Sequence, residues 1–370
     1  MKLLLLSDPN SVHTIKWAKS LAQNDMDILI FGLGDLTIND YNGFENIKVQ
    51  TLHMTVSQFD NVWFSKLKYL KALPTVKKTI LDFKPDVVHA HYATSYGFLG
   101  ALSGFHPFIL SVWGSDVFTF PHNSLLHKMI LKYNLKNADA ILSTSHVMAK
   151  ETYLYTDKEI EVTPFGIDLE QFKPMDVESI FDKDEIVIGT IKTLEEKYGI
   201  EYLLRAFEIV SSKYPNLPLK LLIVGNGSLD IELKKLALEL CIEDKTVFTG
   251  KVPFETVPKY HNMLSVSVSV SVSNSESFGV AIIEASACEK PVIVSNVGGL
   301  PEVVEDGVTG IIVPPRDVEA TANAIERLVL NKELRLQMGK AGRERVQRLY
   351  NWDDNVKQMI NIYKEILEKH

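Results

Sequence analysis

Short apolar runs alternate with amphipathic stretches along almost the whole chain, and this alternation constrains the fold more than any other feature. Apolar runs of about four to eight residues, each followed by a helical pattern, are typical of βα units and a parallel sheet. Strands are predicted in the first half near Lys2–Leu6, Asp27–Phe31, Asp86–His91, Phe108–Val112 and Ala140–Thr144. A second series is predicted at Glu185–Thr190, Leu219–Val224, Val266–Val272, Pro291–Ser295 and Gly310–Val313. The sequence therefore predicts an α/β protein with two doubly wound, Rossmann-like units.

The connection between these units is predicted within 163–184, a stretch rich in turn formers and acidic residues and poor in periodicity. A chain of 370 residues suits two domains, since one domain usually takes roughly 150 residues. We predict an N-terminal domain over 1–168 and a C-terminal domain over 169–352. The remaining residues, 353–370, are predicted to form a C-terminal helix, for which packing back on the N-terminal domain is one arrangement.

Composition excludes several classes of protein. A hydrophobic content of 46% and a charged content of 23% are typical of a folded chain rather than a disordered one. The net charge of -8 disfavours nucleic acid as a partner. Cys241 and Cys288 have neither metal-type nor redox-type spacing, so they predict neither a cysteine metal site nor a redox pair. The first apolar run, MKLLLL, is too short for a signal peptide, and no segment reaches the roughly 20 apolar residues of a membrane span. We expect a cytoplasmic protein.

The segment 61–80, NVWFSKLKYLKALPTVKKTI, is a basic, aromatic-rich stretch within this acidic protein. It contains five lysines and no acid. One interpretation is that this segment makes peripheral contact with the anionic inner face of a membrane. The alternative is a solvated helix whose apolar residues pack on the sheet.

Two Gly-x-Gly pairs follow predicted strands, Gly32-Leu33-Gly34 and Gly225-Asn226-Gly227. Neither is a full dinucleotide fingerprint, because the first leads into a polar loop and the second lacks a third glycine three residues on. A dehydrogenase is therefore disfavoured. The first pair is interpreted as a tight strand exit, whereas Gly225 is either such an exit or a close approach to a nucleotide.

The stretch LSVSVSVSVSNSESFG, from Leu264 to Gly279, is interpreted as a strand that ends in a polar turn. Gly279 stands at the mouth of an apolar helix, where amides and the helix dipole favour an anion. Glu276 and Glu284 bracket this mouth. Because an ionised carboxylate only accepts hydrogen bonds, the two glutamates are suited to sugar hydroxyls on either side of a phosphate group.

The segment SESFGVAIIEASACEKPVIVSNVGGLPEVVEDGVTGIIVPPRD, residues 275–317, resembles the donor-site signature of retaining glycosyltransferases of family 4, the glycosyl transferases group 1. The fixed points are Glu276-x7-Glu284, Pro291, Gly298-Gly299, Pro301-Glu302, Asp306-Gly307 and Gly310. Related segments are Asp86–His91, Trp113–Asp116, Pro164–Asp168 and Gly189–Lys192. The resemblance implies the GT-B fold, in which two Rossmann-like domains face each other across a cleft.

The resemblance also implies the reaction and the donor site. A sugar would pass from a nucleotide-diphosphate sugar to a hydroxyl of a glycan, glycolipid or small molecule, with retention, in polysaccharide or glycoconjugate biosynthesis. No metal and no cofactor besides the sugar nucleotide would be needed. Glu284 would bind the ribose hydroxyls and Glu276 the donor sugar. The amides of Phe278, Gly279 and Val280 would meet the sugar or diphosphate, and Ser277 and Gly225 complete the predicted donor set.

A diphosphate leaving group needs fixed positive charge in the transition state. The family usually supplies an arginine and a lysine after the first strand of the second domain. Here Thr190 stands where the arginine is usual, and Lys192 and Lys197 are the cations that follow. We predict that both act on the diphosphate. The alternative is that they are solvated lysines at the start of a helix.

For the acceptor, the resemblance suggests His13, His91 and Trp113, with Asp116 as the group that orients or deprotonates the hydroxyl. Many family members have histidine where Trp113 stands. Asp116 is alternatively a turn or helix-cap aspartate, and the two histidines are alternatively structural.

Two other functions are alternatives to a transferase. A sugar-nucleotide epimerase of the same architecture should lack the Glu-x7-Glu loop. A non-catalytic sugar-nucleotide-binding subunit should have lost Glu276 or both lysines, which this chain keeps.

Overall fold

Within the described residues of a computed structural model, which are 1–37, 40–54 and 68–370, the first unit contains a seven-stranded parallel sheet of order β3-β2-β1-β4-β5-β6-β7. Its strands are β1 (Lys2–Leu6), β2 (Asp27–Gly32), β3 (Ile47–Thr51), β4 (Val87–His91), β5 (Phe108–Val112), β6 (Ala140–Ser143) and β7 (Ile160–Val162). Leu3 to Leu6 of β1 are fully buried. This matches the continuous apolar sequence expected of a parallel strand covered on both faces.

The second unit contains a six-stranded parallel sheet of order β10-β9-β8-β11-β12-β13 within the same described residues. Its strands are β8 (Ile186–Ile191), β9 (Leu219–Val224), β10 (Thr246–Gly250), β11 (Val266–Ser269), β12 (Val292–Ser295) and β13 (Gly310–Val313). The prediction of two doubly wound α/β units is confirmed. The chain divides into Met1–Pro164 with Asp354–His370, and Phe165–Asp353.

Helices connect the strands in both units. Those of the first unit are Val12–Ala22, Leu73–Phe83, Ser95–Ser103, Ser115–Phe118, Leu125–Asn137 and His146–Thr152, with short 3-10 helices at Lys68–Ala72 and Phe120–His122. Those of the second are Ile200–Lys213, Asp230–Glu239, Val257–Met263, Val280–Ala287, Leu300–Val303, Val318–Val329 and Lys332–Leu349, with 3-10 helices at Glu196–Tyr198, Glu243–Lys245 and Phe254–Thr256. The last helix is Trp352–Glu368. Ser124 and Ser145 cap their helices by accepting a backbone N–H.

The serine-valine strand is shorter than predicted. It was expected over Val266–Val272, but β11 ends at Ser269. Beyond that point the chain leaves the sheet, and the Val272 N–H donates to the Lys197 carbonyl oxygen at 2.9 Å, in the loop that follows β8. The alternating side chains continue after strand pairing has stopped.

The C-terminal residues pack on the first unit. The Tyr363 hydroxyl lies 2.8 Å from His89 Nδ1 of β4, and the Gln358 side-chain amide donates to the Val162 carbonyl oxygen of β7 at 3.2 Å. Tyr363 is fully buried in this position. Among the described residues, no helix combines the length and the apolar character needed to cross a membrane.

Candidate active site

A charged pair lies at the carboxyl edge of the second sheet. Lys192 follows β8 and Glu276 follows β11, and these two strands are neighbours. Lys192 Nζ is 2.9 Å from Glu276 Oε2, with side chains only 15% and 11% exposed. The Ser271 hydroxyl lies 3.5 Å from the same carboxylate oxygen. Two residues that are distant in sequence therefore form an ion pair where ligands of parallel sheets usually bind.

Tyr198 holds the two candidate lysines near one aromatic ring. Lys192 Nζ is 4.4 Å and Lys197 Nζ is 4.7 Å from the centre of this ring. Both distances are within the range of cation-π attraction. The two ammonium groups therefore lie close to the same ring. Tyr198 was not predicted from the sequence, because nothing in the local pattern separates a ring that contacts two lysines from a packing tyrosine.

The Gly225 loop supports the backbone of Lys192. Gly225 has φ +133°, and a Cβ at this position would lie 2.0 Å from the Lys192 carbonyl oxygen. The Lys192 N–H donates to the Val224 carbonyl oxygen at 2.9 Å. A tight exit from the strand was one of the two interpretations of Gly225, and the structure has that exit. Its contact with a donor stays a prediction.

The loop that carries Glu276 rests on two glycines of the resembling segment. Gly298 has φ +51°, and a Cβ there would lie 2.0 Å from the Glu276 carbonyl oxygen. The Gly299 N–H donates to that oxygen at 2.8 Å. Only glycine combines this backbone conformation with this close approach. The Gly298-Gly299 pair therefore fixes the position of the Glu276 backbone.

The candidate anion site lies where the Val280–Ala287 helix begins. Gly279 is the cap residue of this helix, and Phe278 before it is buried. The Phe278 ring packs edge-on against Phe165 and Tyr350, with ring centres 5.8 and 5.5 Å away. This packing fixes the N-terminus of the helix, where the amides of Phe278, Gly279 and Val280 are predicted to contact the donor. Ser277 lies between Phe278 and Glu276 in the same turn.

Glu284 is buried inside the second unit and is paired with a histidine. His261 Nε2 is 3.3 Å from Glu284 Oε2, and the two side chains are 1% and 9% exposed. His261 comes from the Val257–Met263 helix, which precedes β11. Within the part of the chain that is described, His261 Nδ1 is buried with no hydrogen-bond partner. Sequence reasoning missed His261 because the contact joins residues from two separate helices.

The three predicted acceptor residues of the first unit lie together. The His91 ring centre is 4.4 Å from that of Trp113, and the His13 ring is 5.8 Å from Trp113. His91 Nδ1 is 3.1 Å from the Ser7 hydroxyl, at the end of β1. Burial, with a smaller effect of Lys16, lowers the pKa of His13 to about 4. Burial, with smaller effects of His89 and His13, lowers the pKa of His91 well below its usual range. Both imidazoles are therefore neutral near pH 7.

His89 is a structural histidine behind this cluster. Its Nε2 is 2.7 Å from the Ser111 hydroxyl and its Nδ1 is 2.8 Å from the Tyr363 hydroxyl. Its ring lies edge-on to His91 with centres 4.7 Å apart. Burial lowers the pKa of His89 to about 3.

Asp116 is fully buried and binds backbone amides. Its carboxylate accepts the N–H groups of Ala93 and Gly114 at 2.8 Å each and that of Trp113 at 3.2 Å. Burial raises the pKa of Asp116, and these hydrogen bonds oppose the rise. The contacts are those of the turn aspartate that was the alternative interpretation. A role as a base toward an acceptor stays a prediction without a supporting contact.

The basic segment 61–80 is only partly described, because residues 61–67 lie outside the described residues. In the Leu73–Phe83 helix, Val76 and Thr79 are buried, and Lys78 forms an ion pair with Asp82 on the exposed side. This part matches the solvated helix that packs on the sheet. Across the described residues, no three His, Cys, Asp or Glu side chains are grouped to hold a metal ion.

Comparison with known proteins identifies the family. A model described as glycosyl transferases group 1 matches residues 172–345, and a model described as glycosyl transferase 4-like matches residues 2–145. The chain is a glycosyltransferase, with the group 1 model matching its second unit and the glycosyl transferase 4-like model its first. The prediction of a transferase enzyme is therefore confirmed, and the epimerase and the non-catalytic subunit are set aside.

Relatives and solved structures support this family and its fold. The chain is similar to the N-acetyl-alpha-D-glucosaminyl L-malate synthase of Bacillus anthracis, with 26% identity over 296 residues, 76% of this chain and 75% of that one. It resembles the solved sucrose-phosphate synthase of Thermosynechococcus elongatus with a TM-score of 0.85, 23% identity and complete coverage of both chains. Anabaena HepE, solved in complex with UDP-glucose, gives a TM-score of 0.77 at 19% identity, covering 99% of this chain and 100% of that one. The GT-B fold is confirmed.

Proposed function

We propose that this glycosyltransferase moves a sugar from a nucleoside diphosphate sugar to a hydroxyl group of a glycan, glycolipid or small-molecule acceptor, with retention at the anomeric carbon. The observation that carries the proposal is the group formed by Lys192, Tyr198 and Lys197 beside Glu276. Its place at the carboxyl ends of β8 and β11 is where ligands of parallel sheets bind. The likeness to HepE, which was solved with UDP-glucose, supports this class of donor.

The two lysines stabilise the leaving group. As the bond between the anomeric carbon and the diphosphate oxygen breaks, negative charge develops on that oxygen, and nearby cations lower the barrier. Lys192 and Lys197 provide this charge, and the amides at Gly279 and Val280 add hydrogen-bond donors at a helix N-terminus. Lysine acts as a point charge without the bidentate fork of arginine, so the position of each ammonium group depends on its neighbours. Tyr198 and Glu276 are those neighbours.

The two glutamates hold the neutral parts of the donor. Glu276 accepts hydrogen bonds from hydroxyls of the transferred sugar, and Glu284 accepts them from the ribose. His261 fixes the orientation of the Glu284 carboxylate through its Nε2 contact. The charge of the diphosphate is met by lysines and amides, so we propose that the reaction needs no metal ion. Retention is the stereochemistry implied by the family that the chain resembles.

The first unit supplies a neutral acceptor surface. His13 and Trp113 are partly exposed rings without net charge near pH 7, and the buried, neutral His91 packs against Trp113. Such a surface is suited to a hydroxylated ring, which needs stacking and weak hydrogen bonds rather than an ion pair. This chemistry is compatible with a role in polysaccharide or glycoconjugate biosynthesis.

A donor panel tests the proposal. The full chain is incubated with UDP-, GDP- and ADP-linked sugars and release of the nucleoside diphosphate is measured. We expect wild type to consume at least one donor. The Lys197→Met variant should consume the same donor about 10²–10³-fold more slowly. Lys220→Met is the matched control. Lys220 Nζ lies 3.5 Å from Glu185 Oε1, in an ion pair that does not include these residues. Its rate should stay at the wild-type level.

The same assay gives two further measurements. The anomeric configuration of the product, measured by NMR coupling constants, should equal that of the donor, and inversion would contradict the proposed stereochemistry. Addition of EDTA should leave the rate unchanged. Failure of every donor to be consumed or to stabilise the chain would reject a nucleoside diphosphate sugar as the donor.

A further inference from the structure

The outward face of the Leu125–Asn137 helix is both apolar and basic. Leu125 is 76% exposed, Met129 58% and Tyr133 41%. These residues recur every four positions and therefore form one stripe along the helix. Lys128, Lys132 and Lys136 are also exposed. At 100° per residue these lysines fall beside and within the stripe.

The opposite face of this helix is buried. Leu131, Asn134 and Leu135 have no exposed surface and pack in the first unit. The helix therefore has apolar side chains on both faces. Its outward face has large apolar side chains at positions where a solvated helix has polar ones. A row of exposed apolar residues is typical of an interaction surface.

The charge of this face selects an anionic partner. The helix sequence, LLHKMILKYNLKN, contains no aspartate or glutamate, although the whole chain has a net charge of -8. Among the described residues, none of the three lysines lies within ion-pair distance of a carboxylate. Lys128 Nζ instead lies 5.8 Å from the centre of the Tyr155 ring. Leu154, the residue before Tyr155 in the sequence, is 62% exposed.

We propose that this face, formed by Leu125, Lys128, Met129, Lys132, Tyr133 and Lys136, docks the enzyme on an anionic phospholipid surface. The lysines approach the lipid phosphates, and the apolar side chains enter the boundary between headgroups and acyl chains. A membrane contact was predicted for 61–80, and this proposal assigns it to a different helix. In the described part of that segment, Lys78 is already neutralised by Asp82.

Docking through this helix brings the candidate acceptor turn close to the lipid. The Asn134 side-chain amide, on the inner face, donates to the Ala93 carbonyl oxygen at 2.8 Å, and the Ala93 N–H donates to Asp116. The Trp113–Asp116 turn is therefore one helix away from the proposed surface. A lipid-linked acceptor is favoured for this reason. That consequence rests on the proposed function, whereas docking itself does not.

Co-sedimentation with vesicles tests the docking surface. The full chain is mixed at low salt with vesicles of phosphatidylcholine alone or of phosphatidylcholine with anionic phosphatidylglycerol. We expect binding to the anionic vesicles only, and its loss at high salt, because surface charges are screened beyond about 3 Å at 1 M ionic strength. The variant Lys128→Ser/Lys132→Ser/Lys136→Ser should lower the partition coefficient about 100-fold, since each lysine near an anionic surface contributes about fivefold. Leu125→Ser/Met129→Ser should weaken binding to the anionic vesicles at low salt, because the apolar side chains no longer enter the lipid.

Two matched variants give the controls. Lys234→Ser/Lys235→Ser changes another helix with exposed apolar residues, Ile231 and Leu238, but its lysines pair with Asp230 and Glu239. Binding by this variant should equal that of wild type. Lys77→Ser/Lys78→Ser tests the rival segment and should also leave binding unchanged. Thermal unfolding verifies that each variant folds.

The proposal fails if wild type does not bind anionic vesicles at low salt, or if it binds neutral vesicles equally well. It also fails if the Lys77→Ser/Lys78→Ser variant loses binding while the Lys128→Ser/Lys132→Ser/Lys136→Ser variant keeps it. Self-association that is abolished by Leu125→Ser/Met129→Ser, without vesicle binding, would assign the surface to a second copy of the chain. Tyr133→Trp gives a readout independent of partitioning, because brominated lipid should quench its emission. None of these results depends on transferase activity, so docking and the proposed function can fail separately.

Discussion

In the second unit Lys192 and Glu276 are charged and paired, whereas in the first unit the candidate histidines His13 and His91 are neutral. Lys192 lies 2.9 Å from Glu276, with Lys197 and Tyr198 beside the pair. His13 and His91 lie against Trp113, and burial lowers the pKa of both imidazoles. Desolvation disfavours a charged form unless a partner compensates it. In the second unit Lys192 and Glu276 compensate each other's charge, whereas in the first unit burial keeps the imidazoles of His13 and His91 neutral.

This difference matches the two substrates of a sugar transfer. A nucleoside diphosphate has concentrated negative charge, and its recognition requires cations with fixed positions. An acceptor hydroxyl is neutral, and a neutral surface avoids competition from phosphate at the acceptor position. The predictions below test whether the second unit depends on charge and the first on neutrality.

The largest expected effect is that of Lys192→Met. Removing a cation from the developing charge should lower kcat by about 10²–10³-fold with the donor that the panel identifies. Steady-state kinetics measure this loss. Lys220→Met, which breaks a Lys–Glu pair elsewhere in the same unit, should keep wild-type kcat. Equal losses in the two variants would mean that the effect is structural.

Gly298→Ala should displace the Glu276 loop. A methyl group there meets the Glu276 carbonyl oxygen at 2.0 Å, so the loop must move. A displacement of about 1 Å at a catalytic group can cost about 100-fold in rate. Gly307→Ala is the control, because Gly307 also has positive φ, at +75°, but open space around its Cβ. If the two variants lose kcat/KM equally, backbone strain rather than loop position accounts for the loss.

Tyr198→Leu should lower kcat/KM about tenfold, because each cation-π contact contributes about 0.5–1 kcal/mol. Tyr198→Phe keeps the ring and should recover most of the activity. A purely structural hydroxyl would give the reverse result, with Phe as defective as Leu. Tyr214→Leu provides the control, since Lys213 also lies over that ring, at 5.6 Å, on the far end of the Ile200–Lys213 helix.

The neutral cluster of the first unit predicts acid sensitivity of stability. The pKa of His89 is about 3 in the folded chain, against a usual value of 6.5. Above pH 6.5 both folded and unfolded chains have neutral imidazole, and the stability is complete. As the pH falls from 6.5 toward 3, only the unfolded chain takes up the proton. The free energy of unfolding should therefore fall by about 1.4 kcal/mol per pH unit for each such histidine.

His89→Gln should reduce this slope by about one proton, measured by denaturant unfolding between pH 6 and pH 4. Tyr363→Phe is the matched control, because it removes the same hydrogen bond and keeps the imidazole. Its slope should equal that of wild type. An unchanged slope in His89→Gln would show that His89 is not neutral in the folded chain.

The sequence predicted the central strands well because these strands are continuous apolar runs. It missed β3, β7 and β10, which all lie at or toward the edges of their sheets. Edge strands have one open side and include polar residues such as Lys48 and Gln50 of β3, so their apolar pattern is weak. It extended β11 too far, since the alternation of serine and valine continues to Val272, although the strand ends at Ser269 and the Val272 N–H bonds to the Lys197 carbonyl oxygen outside the sheet.

Part of the candidate site could be predicted from the segments that resemble the family. Lys192 and Glu276 were predicted from this resemblance, and the structure places them at one edge of the sheet because the strands before them are neighbours. Tyr198 and His261 were not, because their roles depend on side-chain orientation and on contacts between separate helices. The sequence around Asp116 fits both a catalytic base and a structural aspartate in a turn. Only the backbone N–H groups that its carboxylate accepts distinguish the two roles.

Calorimetric titration of nucleotides tests the central claim, that the lysine pair of the second unit binds a diphosphate. Each nucleoside diphosphate, UDP, GDP and ADP, is compared with its monophosphate on wild type and on Lys192→Met/Lys197→Met. We expect one diphosphate to bind wild type at least tenfold more tightly than its monophosphate, a difference of about 1.4 kcal/mol, and we expect this difference to disappear in the variant. Equal affinity of wild type for both forms, or a preference that survives in the variant, would show that the lysine pair does not bind the diphosphate.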